Sequence, residues 1–132
     1  MPQKVLIVDD EPLIRLLYQK QLEGAGYQLL TAQDGAEVME IAERESPQVV
    51  VMDVLMSKMN GLAALRELKK KEATKAIPVI IITAQVNAHH AARREAEQAG
   101  AALFLTKPFS PSQLLAALRQ VAPAAPAAGP SA

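Results

Sequence analysis

Apolar residues along the chain fall into two alternating patterns. Five short runs are apolar at nearly every position: Lys4-Val-Leu-Ile-Val-Asp9, Tyr27-Gln-Leu-Leu-Thr31, Gln48-Val-Val-Val-Met-Asp53, Pro78-Val-Ile-Ile-Ile-Thr83 and Ala102-Leu-Phe-Leu-Thr106. Short β-branched runs without alternation suit strands covered on both faces, as in a mostly parallel sheet. Between them the spacing is helical. Pro12 suits the first position of a helix, Ile14, Leu17, Tyr18 and Leu22 form its stripe, and Gly24 and Gly26 end it. Asp34 with Glu37 reads as a capping pair ahead of Val38, Ile41 and Ala42. Asn60-Gly61 opens a third helix with Leu65 and Leu68 inward, and residues 88–99 form a fourth. Ser110-Pro111-Ser112-Gln113 caps a fifth helix bearing Leu114, Leu115, Leu118 and Val121. Strand then helix, five times over, predicts a doubly wound α/β domain with right-handed crossovers and helices on both faces.

The fourth helix stands apart, because all its apolar residues are alanine. It can bury little area on a sheet. It is either a mobile element or simply a thin surface helix. Residues 122–132 are Pro/Ala-rich and read as a disordered tail or the start of a linker, leaving residues 1–121 as the folded domain.

Composition narrows the function. A chain of 132 residues is most simply one domain, with half its residues apolar and 21% charged. There is no cysteine, which removes disulfide scaffolds, thiol nucleophiles and zinc–cysteine clusters. The two histidines, His89 and His90, are adjacent and cannot share one face of a helix, so a multi-histidine metal site is not expected. No apolar run is long enough for a membrane span, and Met1-Pro2-Gln3-Lys4 runs directly into a strand-like segment rather than a signal peptide. A soluble cytoplasmic protein is expected. Zero net charge and the scarcity of aromatics (two Tyr, two Phe, no Trp) argue against direct nucleic-acid or membrane binding. The charge is unevenly spread. Residues 1–57 hold four basic and ten acidic side chains, and residues 58–132 the reverse. The contrast concentrates in Glu37–Glu45 and Arg66–Lys75, which reads as two solvated, complementary helix faces.

In an open parallel sheet, ligands bind beyond the carboxyl ends of the strands. The first strand delivers Asp9, Asp10 and Glu11 there, the third Asp53, the fourth Thr83, and the turn after the fifth Lys107-Pro108. Crowded carboxylates repel unless a cation intervenes, and oxygen-only ligands fit Mg2+ or another hard divalent ion. Lys107 adds a point charge suited to a phosphoryl group, and Thr83 a hydroxyl donor. A carboxylate nucleophile, a metal, a lysine and a hydroxyl around one point make a site for phosphoryl chemistry. Singly, each is commonplace: an Asp pair after a strand is usually a helix cap. Their joint placement on four strand ends carries the reading.

The sequence resembles the receiver domain of two-component response regulators over residues 4–121. The matching stretches are Val5-Leu-Ile-Val-Asp-Asp-Glu-Pro12, Val49-Val-Val-Met-Asp53 with Met59-Asn-Gly61, Ile80-Ile-Ile-Thr-Ala84, and Phe104-Leu-Thr-Lys-Pro-Phe109. The resemblance implies a flavodoxin-like (βα)5 fold with a five-stranded parallel sheet in the order 2-1-3-4-5, in which ligands bind beyond the carboxyl ends of the strands. It implies that Asp53 accepts the phosphoryl group, that Asp10 ligates Mg2+ directly and Asp9 mainly through water, and that the Leu55 carbonyl is a further ligand. Thr83 and Lys107 would contact the phosphoryl group, a cis Pro108 would follow, and Phe104 would occupy the place of the switching aromatic, usually Tyr. Two positions depart from the family: Ser57 stands where Pro is usual, and Leu103 where a polar residue is usual.

The expected function is that of a phospho-accepting switch rather than an enzyme acting on other substrates. A sensor histidine kinase or phosphotransfer protein would supply the phosphoryl group. The output would go to a downstream partner, an output domain, or a homodimer formed on phosphorylation. Two alternatives stand beside it. A haloacid-dehalogenase-like phosphatase would need a second Asp two residues after the nucleophile, where this chain has Leu55. A pseudo-receiver scaffold would have lost an acidic residue or the lysine, and all are present.

Overall fold

The computed structural model describes residues 3–9, 12–53, 61–83, 89–106 and 111–121. Five strands, β1 (Lys4–Val8), β2 (Gln28–Ala32), β3 (Val49–Asp53), β4 (Val79–Thr83) and β5 (Leu103–Thr106), alternate with α1 (Pro12–Gly24), α2 (Gly35–Glu45), α3 (Gly61–Lys70), α4 (His89–Ala99) and α5 (Pro111–Val121). All neighbouring strands are parallel, in the order β2-β1-β3-β4-β5. The expected fold is present, and β2, whose end carries no chemistry, lies at the sheet edge.

The uninterrupted apolar strands have the predicted consequence: alternate residues feed two separate cores. Leu6, Val8, Val50, Met52, Val79 and Ile81 meet Val38 and Ala42 of α2, Leu62, Leu65 and Leu68 of α3, and Ala96 of α4. Val5, Ile7, Val49, Val51, Ile80 and Ile82 meet Tyr18 and Leu22 of α1 and Leu114, Ala117 and Leu118 of α5. The sheet is thus sealed on both faces, and its side-chain chemistry is confined to its ends.

Local signals act largely as read. The Asp34 carboxylate accepts from the Glu37 N–H at 3.0 Å. The Glu37 carboxylate reaches back to the N–H of Gln33 at 2.7 Å, one residue earlier than in the usual reciprocal pair. The Ser110 part of the α5 cap lies outside the described residues. The acidic and basic segments do meet: Lys71, just after α3, pairs with Glu43 of α2 at 2.7 Å. Arg66 instead reaches α4, pairing with Glu95 at 2.5 Å. So α4 is held by more than alanines, although this pair is solvent-exposed and worth well under about 1 kcal/mol.

Of the two glycines that the sequence offers as the end of α1, Gly26 does the terminating. Gly26 has a φ of 93°. Its N–H donates to the Glu23 carbonyl at 3.1 Å, and the Tyr27 N–H to the Leu22 carbonyl at 2.9 Å, closing a Schellman motif. Gly24 still lies within the helix, and a β-carbon at either glycine would meet open space. The two positions therefore separate backbone preference from packing. Gly26→Ala should cost about 1 kcal/mol from left-handed strain, whereas Gly24→Ala should stabilise by about 0.5–1 kcal/mol. Urea denaturation of the two variants checks this, and equal signs would contradict it.

Tyr27 was expected to begin the second strand. It sits one residue before it, buried in the α1/α5 core at 4% exposure. Its hydroxyl has no hydrogen-bond partner among the described residues. Burial pushes the phenol pKa up, with the Arg119 charge opposing part of the shift. A raised folded-state pKa means stability that is intact below the ordinary tyrosine pKa and declines as pH rises through that value toward the folded one. Tyr27→Phe removes both the unpaired hydroxyl and this alkaline loss. It should be neutral to about 1 kcal/mol stabilising at neutral pH, with a larger advantage near about pH 10.5. Melting curves at both pH values test it, and a clear destabilisation would show that the hydroxyl is satisfied after all.

Candidate functional site

The strand registers set the geometry at the carboxyl end of the sheet. Val8 pairs with Met52, so Asp9 follows at the level of Asp53 on the adjacent strand. Asp53 pairs with Ile82, which places Thr83 one step beyond on the next strand, and Thr83 pairs with Thr106. Adjacent strands are separated by about 4.8 Å. Asp9, Asp53 and Thr83 therefore end three neighbouring central strands. From β1 the chain passes to β2 on one side and the sheet continues to β3 on the other, so the switch point of the topology falls between Asp9 and Asp53.

Exposure orders these three residues. Asp9 is 2% exposed and Thr83 fully buried, whereas Asp53 is half-buried. A carboxylate as buried as Asp9 must be compensated by hydrogen bonds or a cation. Of the two described carboxylates, Asp53 is the one an incoming group can approach. Side-chain alternation adds a second distinction: Thr83 continues the series Val79, Ile81 on the α2–α4 side, and Asp53 the series Val49, Val51 on the α1/α5 side.

Phe104 pairs in register with Ile81 and is partly buried against the α2–α4 core. It is therefore on the same side of the sheet as Thr83. Nothing in the sequence alone gives this register. Asp10, Leu55, Lys107 and Pro108 lie outside the described residues, as do Glu11 and Ser57. Among the described residues no group of three or more His, Asp or Glu side chains is placed to hold a metal ion. Asp9 and Asp53 supply two carboxylates of the expected set. Both are hard oxygen donors, which fits a small divalent cation such as Mg2+. No helix among the described residues is long and apolar enough to cross a membrane.

The family model for the response regulator receiver domain matches residues 5–119. The chain belongs to this family. Receivers of this family serve two-component signalling, and the (βα)5 sheet order above is the one expected of them. The receiver is 39% identical over 119 residues to the probable transcriptional regulator ycf27 of Cyanophora paradoxa, covering 90% of this chain and 48% of that protein. It thus spans about half the length of such curated relatives. Among solved structures, the chemotaxis protein CheY4 of Vibrio cholerae has a TM-score of 0.83 and 32% identity, with 92% of this chain and 99% of that chain covered. The receiver domain of the sensor histidine kinase PA1611 from Pseudomonas aeruginosa has a TM-score of 0.82 and 30% identity, with 92% and 98% covered, and holds a magnesium ion in its active-site cleft.

Proposed function

We propose that this receiver accepts a phosphoryl group on Asp53 from a histidine kinase or phosphotransfer protein and thereby changes the surface it offers to a partner. The observation that carries the reading is the half-exposed Asp53 at the centre of the sheet's carboxyl end, flanked by the buried Asp9 and Thr83. Its carboxylate oxygen attacks phosphorus. The new O–P bond forms as the P–N bond to the donor imidazole breaks, and the imidazole retains the electron pair and takes up a proton from solvent. Asp9, Asp10, Asp53 and the Leu55 carbonyl would hold Mg2+. When bound, the ion offsets the charge of the carboxylates and of the phosphoryl oxygens. The Thr83 hydroxyl donates to one phosphoryl oxygen, and the Lys107 ammonium pairs with another. Catalysis is limited to the protein's own phosphorylation and dephosphorylation.

The output follows from Thr83 and Phe104 sharing one side of the sheet. Drawing Thr83 toward the phosphoryl group opens space beside Ile81, and the Phe104 ring turns inward to fill it. Phenylalanine has no hydroxyl to satisfy, so the inward state carries no polar cost. The altered surface serves a downstream partner, an output domain or a second copy. Residues 1–121 form the signalling domain in this reading, residues 122–132 a tail or linker, and the setting is the cytoplasm.

The test is phosphate uptake from acetyl phosphate, followed by intact-protein mass spectrometry. One phosphate should be added with Mg2+ present, as a base-labile acyl phosphate, and uptake should fall by at least about tenfold when the metal is chelated. No uptake with Mg2+ would favour a scaffold that has kept the fold without the chemistry.

A further inference from the structure

Among the described residues, α4 is tied to its surroundings from Glu95 onward. Glu95 pairs with Arg66 of α3 at 2.5 Å. Ala96 is fully buried in the core, whereas Arg94, Glu95, Glu97 and Gln98 around it are exposed. The helix closes on Gly100, whose φ is 105°. The Gly100 N–H donates to the Glu97 carbonyl at 3.1 Å and the Ala101 N–H to the Ala96 carbonyl at 2.9 Å, a second Schellman motif. The Ala102 N–H then donates to the Val79 carbonyl at 2.8 Å, which fixes the exit of the helix to the first residue of β4.

Gly100 rests on the side chain of Lys69. A β-carbon there would lie 3.3 Å from the Lys69 Cγ and 3.6 Å from its Cδ and Cε. That stem is held at both ends. Its root is in α3, and its ammonium donates to the backbone carbonyls of Ile77 at 2.7 Å and Lys75 at 3.1 Å. Hydrogen bonds from a charged donor are roughly twice as strong as neutral ones. The turn that supplies the carbonyls is itself closed. The Thr74 hydroxyl donates to the Leu68 carbonyl at 2.6 Å, and the Ile77 N–H to the Thr74 carbonyl at 3.0 Å. Lys69 therefore joins α3, the turn before β4 and the end of α4, at the end of the sheet opposite Asp9, Asp53 and Thr83. Elsewhere α4 has little to grip. Its apolar residues are all alanine, which make no ridges to interlock with a neighbour and resist tilting weakly.

We propose that Lys69 is the fulcrum of α4: the carboxyl end of the helix stays seated on the Lys69 stem while its amino end swings. The proposal rests on the phospho-accepting reading in one respect, that the signal starts at Asp53. β4 ends at Thr83 and leads into the start of α4, so the swinging end is the one nearest the signal. The 11 residues of α4 span about 16 Å. A tilt of about 10° about the seat thus moves the far end by about 3 Å and leaves the ties from Glu95 to Ala102 intact.

Hydrogen exchange on the intact protein tests this, with beryllofluoride and Mg2+ as a stand-in for the phosphoryl group. Each amide is compared with itself between conditions. In the parent, exchange should change in residues 89–94 and stay unchanged in residues 95–102. Lys69→Met keeps the stem under Gly100 and removes only the ammonium. Without beryllofluoride it should speed exchange in residues 95–102 at least about threefold, a small part of what loss of a charge-assisted hydrogen bond allows, and leave residues 12–24 of α1 unchanged. With beryllofluoride, the response of this variant should spread into residues 95–102. Sodium chloride at about 0.5 M screens the exposed Arg66–Glu95 pair and should not reproduce the spread. A parent response in residues 95–102 equal to that in residues 89–94 overturns the fulcrum. So does a Lys69→Met response that stays within residues 89–94, or a spread that salt alone produces. Beryllofluoride that alters no amide anywhere in the parent counts against the phospho-accepting reading instead. The fulcrum is then decided by the Lys69→Met exchange without beryllofluoride, where unchanged rates in residues 95–102 overturn it.

Discussion

Asp53→Asn should reduce phosphate incorporation from acetyl phosphate by at least about a hundredfold. Asparagine keeps the shape of the side chain but lacks the anionic oxygen that would attack phosphorus in the proposed reaction. The nearest described carboxylate cannot take over, because Asp9 on the neighbouring strand is 98% shielded from solvent, being only 2% exposed. The same substitution removes one negative charge from beside that buried carboxylate. The variant should therefore be at least as stable as the parent in metal-free buffer, and its melting temperature should respond less to millimolar Mg2+. Intact mass after incubation and thermal melts with and without Mg2+ measure both effects. Undiminished phosphate uptake would move the acceptor elsewhere. Uptake lost together with the fold would leave a melting curve without a cooperative transition.

The largest effect on stability is expected from Ile81→Ala, at about 3–4 kcal/mol. Ile81 is fully buried in the central part of β4, with Met52 beside it on β3 and Phe104 beside it on β5. Truncation removes three methyl or methylene groups' worth of contact and leaves a cavity between rigid neighbouring strands, which cannot close around it. For a domain of this size the melting temperature should fall by roughly 10–15 °C. Ile81→Val, which removes a single methylene, should cost only about 1 kcal/mol. The cavity would also lie beside the Phe104 ring, on the side of the sheet shared with Thr83. Denaturant melts of the two variants provide the comparison. A loss under about 1 kcal/mol for Ile81→Ala would show that the surrounding core collapses freely into the gap.

The fold could be read because its strands declare themselves. Val49–Met52 and Val79–Ile82 are apolar at every position, a pattern that suits only a strand covered on both sides or a short buried helix, and their length and β-branching decide between these. Pro12, Asp34 and Pro111 marked helix starts that the backbone uses. Boundaries slipped by one residue where a polar or proline residue flanks a strand, as at Gln48 and Pro78. The candidate site was legible to the extent that it depends on strand ends, since topology brings Asp9, Asp53 and Thr83 together without reference to side-chain detail. What remained hidden depends on tertiary register. The exposure order of the two aspartates, the shared side of Thr83 and Phe104, and the reach of Arg66 to Glu95 all arise from how elements stack. Thr74 is a further case. It falls within the Arg66–Lys75 segment read as a solvated face, yet it is fully buried, with its hydroxyl donating to the Leu68 carbonyl at 2.6 Å to close the end of α3. Lys69 likewise looks like one more solvated cation in a lysine run until its two carbonyl partners are located.

The two-sided burial of β3 and β4 makes the sheet intolerant of incomplete chains. Neither Val49–Met52 nor Val79–Ile82 contains a charged or proline residue to discourage pairing with a foreign strand. In the whole sheet both are interior, and the β2 edge presents the exposed Gln28 and Thr31 instead. A chain cut after Thr83 would leave β4 as an open edge of four consecutive aliphatic residues. Its most available partner would be the same edge on another truncated copy, so proteolysis or stalled synthesis at that point should yield insoluble assemblies rather than a smaller folded domain.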